Sequence, residues 1–384
     1  MGDKLKILLL SAYLPAKDTV AYARKIYDFI RLLKQRGHIV HLLAFCSQED
    51  RKRIVFINQH CASIDLEYLE DYRCYPSKSI CFQNIIKEFI RNKTVDIIQC
   101  ENSYLRRYIP SKIKMPLVLV EHEVLSFSFW ERALFENNFI NKLILHVRAI
   151  KKSFEEKKWY SKFNQIIVFS EFDKNIIVLK YKINNVKVIA LGINVKEQAV
   201  LLPSEKTGDL IFVGNFSHAP NVDAVLYFYR EILPLIKKNF PKVSFLIVGA
   251  NPPLAVINLA NLDPQIKVTG YLEDLKNVYA QSKVFVAPVR YGSGMRFKIL
   301  EAMAMGVPVV TSLVGLRGIM FQNLVKVADK KQAFADAVIE LLSYPEKRQA
   351  LSASAREAAE EYYDWDKLLI KYDDVYCRLI NNQT

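Results

Sequence analysis

No run in the 384 residues reaches the roughly 18 consecutive apolar residues that a membrane-spanning helix requires. The apolar start, Ile7 to Leu14, is too short for that and lacks an A-x-A-like cleavage site. It reads as a buried strand rather than a leader. Gly2 is present, but Lys6 stands where an N-myristoylation signal carries Ser or Thr. Cysteine is sparse: there are six, none in C-x-x-C and none at zinc-finger spacing to histidine. Reduced, mostly structural thiols are expected. The six histidines form no H-E-x-x-H. Glycine and proline number 12 and 14, which excludes collagen-like and linker-like chains. These absences together lead to the expectation of a cytoplasmic protein, at most peripheral on the inner face of a membrane.

Apolar material, by contrast, is plentiful. Hydrophobic residues make up 51% and aromatics 12%, enough for sizeable cores and too much for a disordered chain. The length suits two domains better than one. The net charge is +14, and it is uneven. Residues 1–204 hold 33 Lys and Arg against 21 Asp and Glu, a surplus of +12; the remainder carries only +2. Such asymmetry points to an anionic partner for the first half: nucleic acid, acidic lipid or a phosphorylated substrate. No helix-turn-helix, zinc finger or RNP signature supports nucleic acid.

Along the chain, short apolar runs alternate with helical patterns. Lys6–Leu10 reads as a strand, Tyr22–Arg36 as a helix closed by Gly37, and Ile39–Phe45 as the next strand. That is a βαβ unit, which favours a parallel sheet covered on both faces. Val95–Gln99, Leu117–Val120 and Gln165–Phe169 extend it. Glu131 to Phe163 reads as one long helical stretch rich in Lys and Arg, with Trp159, Tyr160 and Phe163 near its end. Two readings stay open: a basic helix on an anionic membrane, or a solvated face whose aromatics enter the core. Lys196–Gly208 loosens into a linker around Pro203, Ser204 and Gly208. The alternation then restarts with strands at Leu210–Val213, Val243–Val248, Lys267–Val268, Val284–Ala287 and Val307–Thr311. Helices are expected at Asn221–Ile236, Leu272–Ala280, Met295–Met305 and Lys331–Leu342. The expected fold class is α/β, two doubly wound domains facing across a cleft, with ligands at the carboxyl ends of the strands.

Chemistry concentrates in Val284 to Thr311. A strand enters the loop Gly292-Ser293-Gly294 and a helix follows. Small residues let a ligand approach the backbone, and a helix start favours a phosphate. Arg296 and Lys298 place two cations in the first turn, against the helix dipole, which suggests an anion that offsets the repulsion. Glu301, one turn on, suits a pair of ribose hydroxyls. The bland alternatives are an i,i+3 surface pair between Lys298 and Glu301, a solvated Arg296 and a turn without a ligand.

The block resembles the nucleotide-sugar domain of retaining GT-B glycosyltransferases, the large class numbered four, or glycosyl transferases group 1. Phe212-Val-Gly-Asn-Phe-Ser-His-Ala-Pro-Asn-Val-Asp223, Val248-Gly-Ala-Asn-Pro252, Val268-Thr-Gly-Tyr-Leu272 and Gly315-Leu-Arg-Gly318 continue the likeness. Gly37-His38 and Ser170-Glu-Phe-Asp173 carry it more weakly into the first half. The resemblance implies two Rossmann-like domains. Residues 1–200 would bind the acceptor, 205–363 would bind the nucleotide sugar, and a helix over 364–384 would cross back to the first domain. It implies Glu301 on the ribose, and Gly294, Met295, Arg296, Lys298 and Asn215 near the donor phosphates. Gly270, Tyr271 and Leu272 would contact the nucleobase. His122 would approach the donor sugar; its alternative is a loop histidine bonded to backbone. His122, Lys298 and Glu301 are the catalytic candidates.

The family implies sugar transfer with retention from a donor, UDP by default, to a glycan or lipid-linked acceptor. Fixed cations would serve in place of a metal, so neither metal nor cofactor is expected. The one Asp-x-Asp, Asp364-Trp365-Asp366, reads as a helix start rather than a metal site. Four departures stand out: Ser293 in place of the first motif Glu, Asn215 and Pro220 in place of a diphosphate-clamping Arg and Lys, Val20-Ala21 in place of a Gly pair, and Arg317 in place of Glu. They keep a catalytically silent nucleotide-sugar binding module open beside the enzyme. A sugar-nucleotide epimerase on the same scaffold is the remaining alternative.

Overall fold

A computed structural model describes residues 4–17, 21–70, 79–92, 94–195, 207–320 and 322–382. The chain divides into two compact units. One comprises Met1–Gly192 together with Trp365–Thr384, the other Ile193–Asp364.

The first unit holds seven strands: β1 (Lys6–Ser11), β2 (Ile39–Cys46), β3 (Ser63–Tyr68), β4 (Ile97–Cys100), β5 (Leu117–Glu121), β6 (Gln165–Val168) and β7 (Val186–Val188). All pair in parallel, in the order β3-β2-β1-β4-β5-β6-β7. The central strands are continuous apolar runs because helices cover both faces; Ile7 to Leu10 are fully buried. Helix Ala21–Gln35 ends in a Schellman turn. Gly37, at φ 93°, donates to the Lys34 carbonyl at 2.9 Å, and His38 donates to that of Leu33 at 3.1 Å. Strands β3 and β7 escape the sequence reading because both lie at sheet edges and are short or half-polar.

The basic stretch from Glu131 to Phe163 is not one helix. Helix Leu125–Leu134 stops, and a second helix, Phe139–Tyr160, begins at Asn138, whose side chain accepts from the Asn141 N–H at 3.0 Å. A capping asparagine inside the pattern starts a new helix there. Tyr160 and Phe163 are buried, so those aromatics do enter the core. Among the described residues no helix is long and apolar enough to cross a membrane.

The last helix, Trp365–Asn381, belongs to the first unit. Its Trp365 and Tyr372 pack on Phe29 with ring centroids 5.7 and 4.8 Å away. Asp373 accepts from Arg36 at 2.8 Å and lies 3.1 Å from His38.

The second unit holds β8 (Gly208–Val213), β9 (Phe245–Val248), β10 (Ile266–Gly270), β11 (Ser282–Ala287), β12 (Val309–Thr311) and β13 (Lys326–Val327). They form a parallel sheet in the order β10-β9-β8-β11-β12-β13. Of the stretch read as a linker, 196–206 lie outside the described residues, and Gly208 already opens β8. The helix expected from Met295 begins only at Phe297, and the one expected from Leu272 begins at Lys276. In both places the connecting loop is longer than its periodicity implied. In each sheet the strand order reverses once, between β1 and β4 and between β8 and β11. The crevice at such a reversal is where open α/β sheets take ligands.

Candidate functional site

In the second unit, the loops leaving β8 and β11 border that crevice. Gly214 directly follows β8 and donates to the Val248 carbonyl at 2.9 Å. A Cβ there would stand 2.9 Å from the Asn221 amide and 3.1 Å from the Lys298 ammonium. Glycine is what lets both side chains close over the loop. Gly249, at φ 150°, is tighter still: a Cβ would lie 1.8 Å from the Gly214 carbonyl oxygen. Gly249 donates in turn to the Gly270 carbonyl at 2.9 Å. Val213, Val248 and Gly270 share one register across β8, β9 and β10. The three glycine turns therefore form one continuous backbone ridge at the carboxyl edge of the sheet.

Lys298 lies in the first turn of helix Phe297–Ala304. Its ammonium donates to the Asn221 side-chain oxygen and sits 4.2 Å from the centre of the Phe212 ring. Asn221 passes its own amide to the Asn215 carbonyl at 2.6 Å. Among the described residues no carboxylate pairs with Lys298, so the expected alternative of a surface pair with Glu301 is not formed. Loss of water around the ammonium, and then the nearby charge of Arg296, hold its pKa well below the ordinary lysine value. His218, which precedes helix Ala219–Tyr227, is also pushed down, first by burial and then by Lys298 and Arg296. Three groups that would be cationic thus crowd one place, which is a field for an anion.

Arg296 also braces the loop that precedes it. Its guanidinium donates to the carbonyls of Ser293 at 2.8 Å and Gly292 at 2.6 Å. Arg317 donates to the Gly292 carbonyl as well, at 2.7 Å. Two arginines hold the loop Gly292-Ser293-Gly294, whose glycines sit at φ 109° and 79°. Arg317, a departure from the family pattern, thus has a local structural reason. Met295 is buried against Gly318, where a Cβ would lie 2.5 Å from its side chain. Asn215 accepts from the Ser217 N–H at 2.9 Å and shapes its own turn. Glu301 is buried on the inner face of the helix carrying Lys298. Gly270 has positive φ and open space where a Cβ would be; Tyr271 beside it is 54% exposed and Leu272 is half-buried. Sequence reasoning missed Asn221 and His218 as members of the site. Their only signal was the stretch Gly214 to Asp223, and the fold is what brings it beside a helix 77 residues later.

His122 lies in the first unit, after β5. It is not bonded to backbone through its Nε2: that atom lies 2.8 Å from Glu101 Oε2. Glu101, after β4, is buried and takes the Gln99 amide at 2.6 Å, while Tyr376 of the last helix donates to Gln99. The Tyr22 ring lies 4.4 Å from the His122 ring. Burial lowers the His122 pKa, against the raising effect of Glu101. The neutral ring then keeps its proton on Nε2 toward the carboxylate and leaves Nδ1 as an acceptor.

Among the described residues no group of three or more His, Cys, Asp or Glu side chains is placed to hold a metal ion. Asp366 lies in the first turn of the last helix.

Two family models match the chain: Glycosyltransferase Family 4 over residues 23–197, and Glycosyl transferases group 1 over residues 207–344. The chain belongs to the group 1 glycosyltransferases. A sucrose-phosphate synthase from Thermosynechococcus elongatus shares the GT-B fold of this glycosyltransferase, with a TM-score of 0.76 at 17% identity over 99% of this chain and 100% of that one. An uncharacterized 44.6 kDa protein in the cps region of Klebsiella pneumoniae is 19% identical over 94% of this chain and 97% of its own length. A GDP-mannose-dependent phosphatidylinositol monomannoside mannosyltransferase of Mycobacterium tuberculosis is 30% identical over 37% of this chain and 41% of its own. The O-antigen biosynthesis glycosyltransferase WclY of Escherichia coli is 21% identical over 63% and 62%.

Proposed function

We propose that this glycosyltransferase moves a sugar, with retention, from a nucleoside diphosphate sugar to a glycan or lipid-linked acceptor in cell-envelope glycan synthesis. The observation that carries the donor half is Lys298: a desolvated ammonium with only neutral partners, at the β8/β11 reversal, beside His218 and Arg296. The donor diphosphate supplies the missing counter-charge. Glu301 takes the ribose, and the open backbone at Gly270, Tyr271 and Leu272 takes the base. The loop of Gly294 and Met295, held by Arg296 and Arg317, faces the phosphates.

In the transfer, the bond from the anomeric carbon to the diphosphate oxygen breaks. The acceptor hydroxyl oxygen bonds to that carbon from the same side, and its proton passes to the departing phosphate. Negative charge grows on the diphosphate, and Lys298 with the positive end of helix Phe297–Ala304 stabilises it. We assign this work to protein cations rather than to a metal. His122, oriented by Glu101, is the first unit's group for the donor sugar. The acceptor class draws support from the lipid-linked and O-antigen substrates in the relatives' names. UDP is the default donor nucleotide. The mannosyltransferase relative favours GDP as the second reading.

Incubating the protein with radiolabelled nucleotide sugars and envelope lipid extract, in the presence of a chelator, tests the whole reading. Transfer to lipid or polysaccharide is expected. Binding without transfer or hydrolysis would make it a silent module, and turnover without acceptor an epimerase.

A further inference from the structure

Helix Phe139–Tyr160 is amphipathic the wrong way round for a soluble protein. It meets its own unit through Leu145, Ala149, Glu156 and Tyr160, which are buried. At about 100° per residue, Phe139, Leu143, Val147, Ile150 and Phe154 fall within about 80° of one another on the far side. Ile140 and Ile144 widen that strip. Each of the seven is between 42% and 78% exposed. The neighbouring helix Leu125–Leu134 adds exposed Trp130 and Leu134, with Phe135 just beyond it. A water-facing helix face is ordinarily polar, and contiguous apolar patches of this kind mark contact surfaces.

The rims of the strip are basic. Lys142 and His146 follow one edge, Arg148, Lys151 and Lys158 the other, and Lys157 closes the C-terminal end. Of the helix's two carboxylates, Glu156 is buried and Glu155 lies 3.2 Å from Lys152. An apolar strip between cationic rims fits a surface with an apolar interior and anionic headgroups. We propose that this face docks flat on an anionic lipid bilayer, its strip at the boundary of headgroups and acyl chains and its lysines on lipid phosphates. A second copy of the chain suits the strip less well, because a two-fold contact would set basic rims against basic rims. The docking stands apart from the transfer reaction and needs no donor.

Sedimentation with vesicles of phosphatidylcholine alone, and of equal parts phosphatidylcholine and phosphatidylglycerol, tests it on the full chain. The protein is expected to pellet with the anionic vesicles at least tenfold more strongly, and less so at high salt. Val147→Glu with Phe154→Glu changes two exposed side chains and is expected to abolish pelleting while UDP affinity stays unchanged. Lys151→Gln with Lys158→Gln is expected to lower it on the order of tenfold. Equal pelleting with both vesicles, no pelleting, or pelleting that the paired glutamates leave intact overturns the proposal. So does a dimer in sedimentation velocity that the glutamates dissociate without any lipid binding: the face would then be a subunit interface.

Discussion

Lys298 is a lysine whose charge is costly where it lies, desolvated and near Arg296. Burial and Arg296 lower its pKa, so Lys298 loses that proton at a lower pH than an ordinary lysine would. Affinity for a nucleoside diphosphate is therefore expected to fall as pH rises, and binding above the lowered pKa takes up a proton; calorimetry in two buffers of different ionisation enthalpy reads both. Arg317→Ala removes one of the two donors holding Gly292 and is expected to weaken diphosphate binding severalfold with little change in melting temperature. A second buried group acts on stability instead. Burial, with the Glu156 carboxylate adding to it, pushes Glu121 up to about 8. Its folded pKa exceeds its unfolded one, so its contribution is full below the unfolded value and is lost as pH rises through about 8. Glu121→Gln is expected to raise the melting temperature at pH 8 more than at pH 5, by thermal denaturation at both. At this scale the Gly292–Thr311 block was legible, because its residues are contiguous. Asn221 and His218 were not, because what they mean depends on which loop the sheet order sets beside Lys298.

Elements were read best where both faces are buried. The runs Ile7–Leu10, Leu42–Phe45, Leu117–Val120 and Val284–Ala287 are apolar throughout and buried, and no polar alternation blurs them. Edge strands β3, β7 and β13 carry polar residues or are too short for a period to form. The merged helix over 131–163 shows the other failure: both halves are helical, and only the capping Asn138 divides them. Nor did periodicity reveal that the outward side of Phe139–Tyr160 is the apolar one, since a pattern gives a face but not its direction. The last helix yields a test of packing. Gly192 lies against Trp365 so closely that a Cβ would stand 2.2 Å from the indole. Gly192→Ala is expected to cost about 1–3 kcal/mol and to speed hydrogen exchange in Trp365–Asn381.

At the scale of the molecule, two parallel sheets repeat one design, each with a single reversal of strand order. The basic surplus lies in the first half of the chain: residues 1–204 carry +12. Part of it now has a place, along the rims of an exposed apolar helix. The central proposal is that the crevice between β8 and β11 binds a nucleoside diphosphate through Lys298. Titration calorimetry of UDP and GDP against the wild type and Lys298→Gln, in the presence of a chelator, tests this most directly. One diphosphate per chain is predicted for the wild type, with affinity at least tenfold weaker in a variant of unchanged melting temperature. Equal affinity in the two proteins would contradict it.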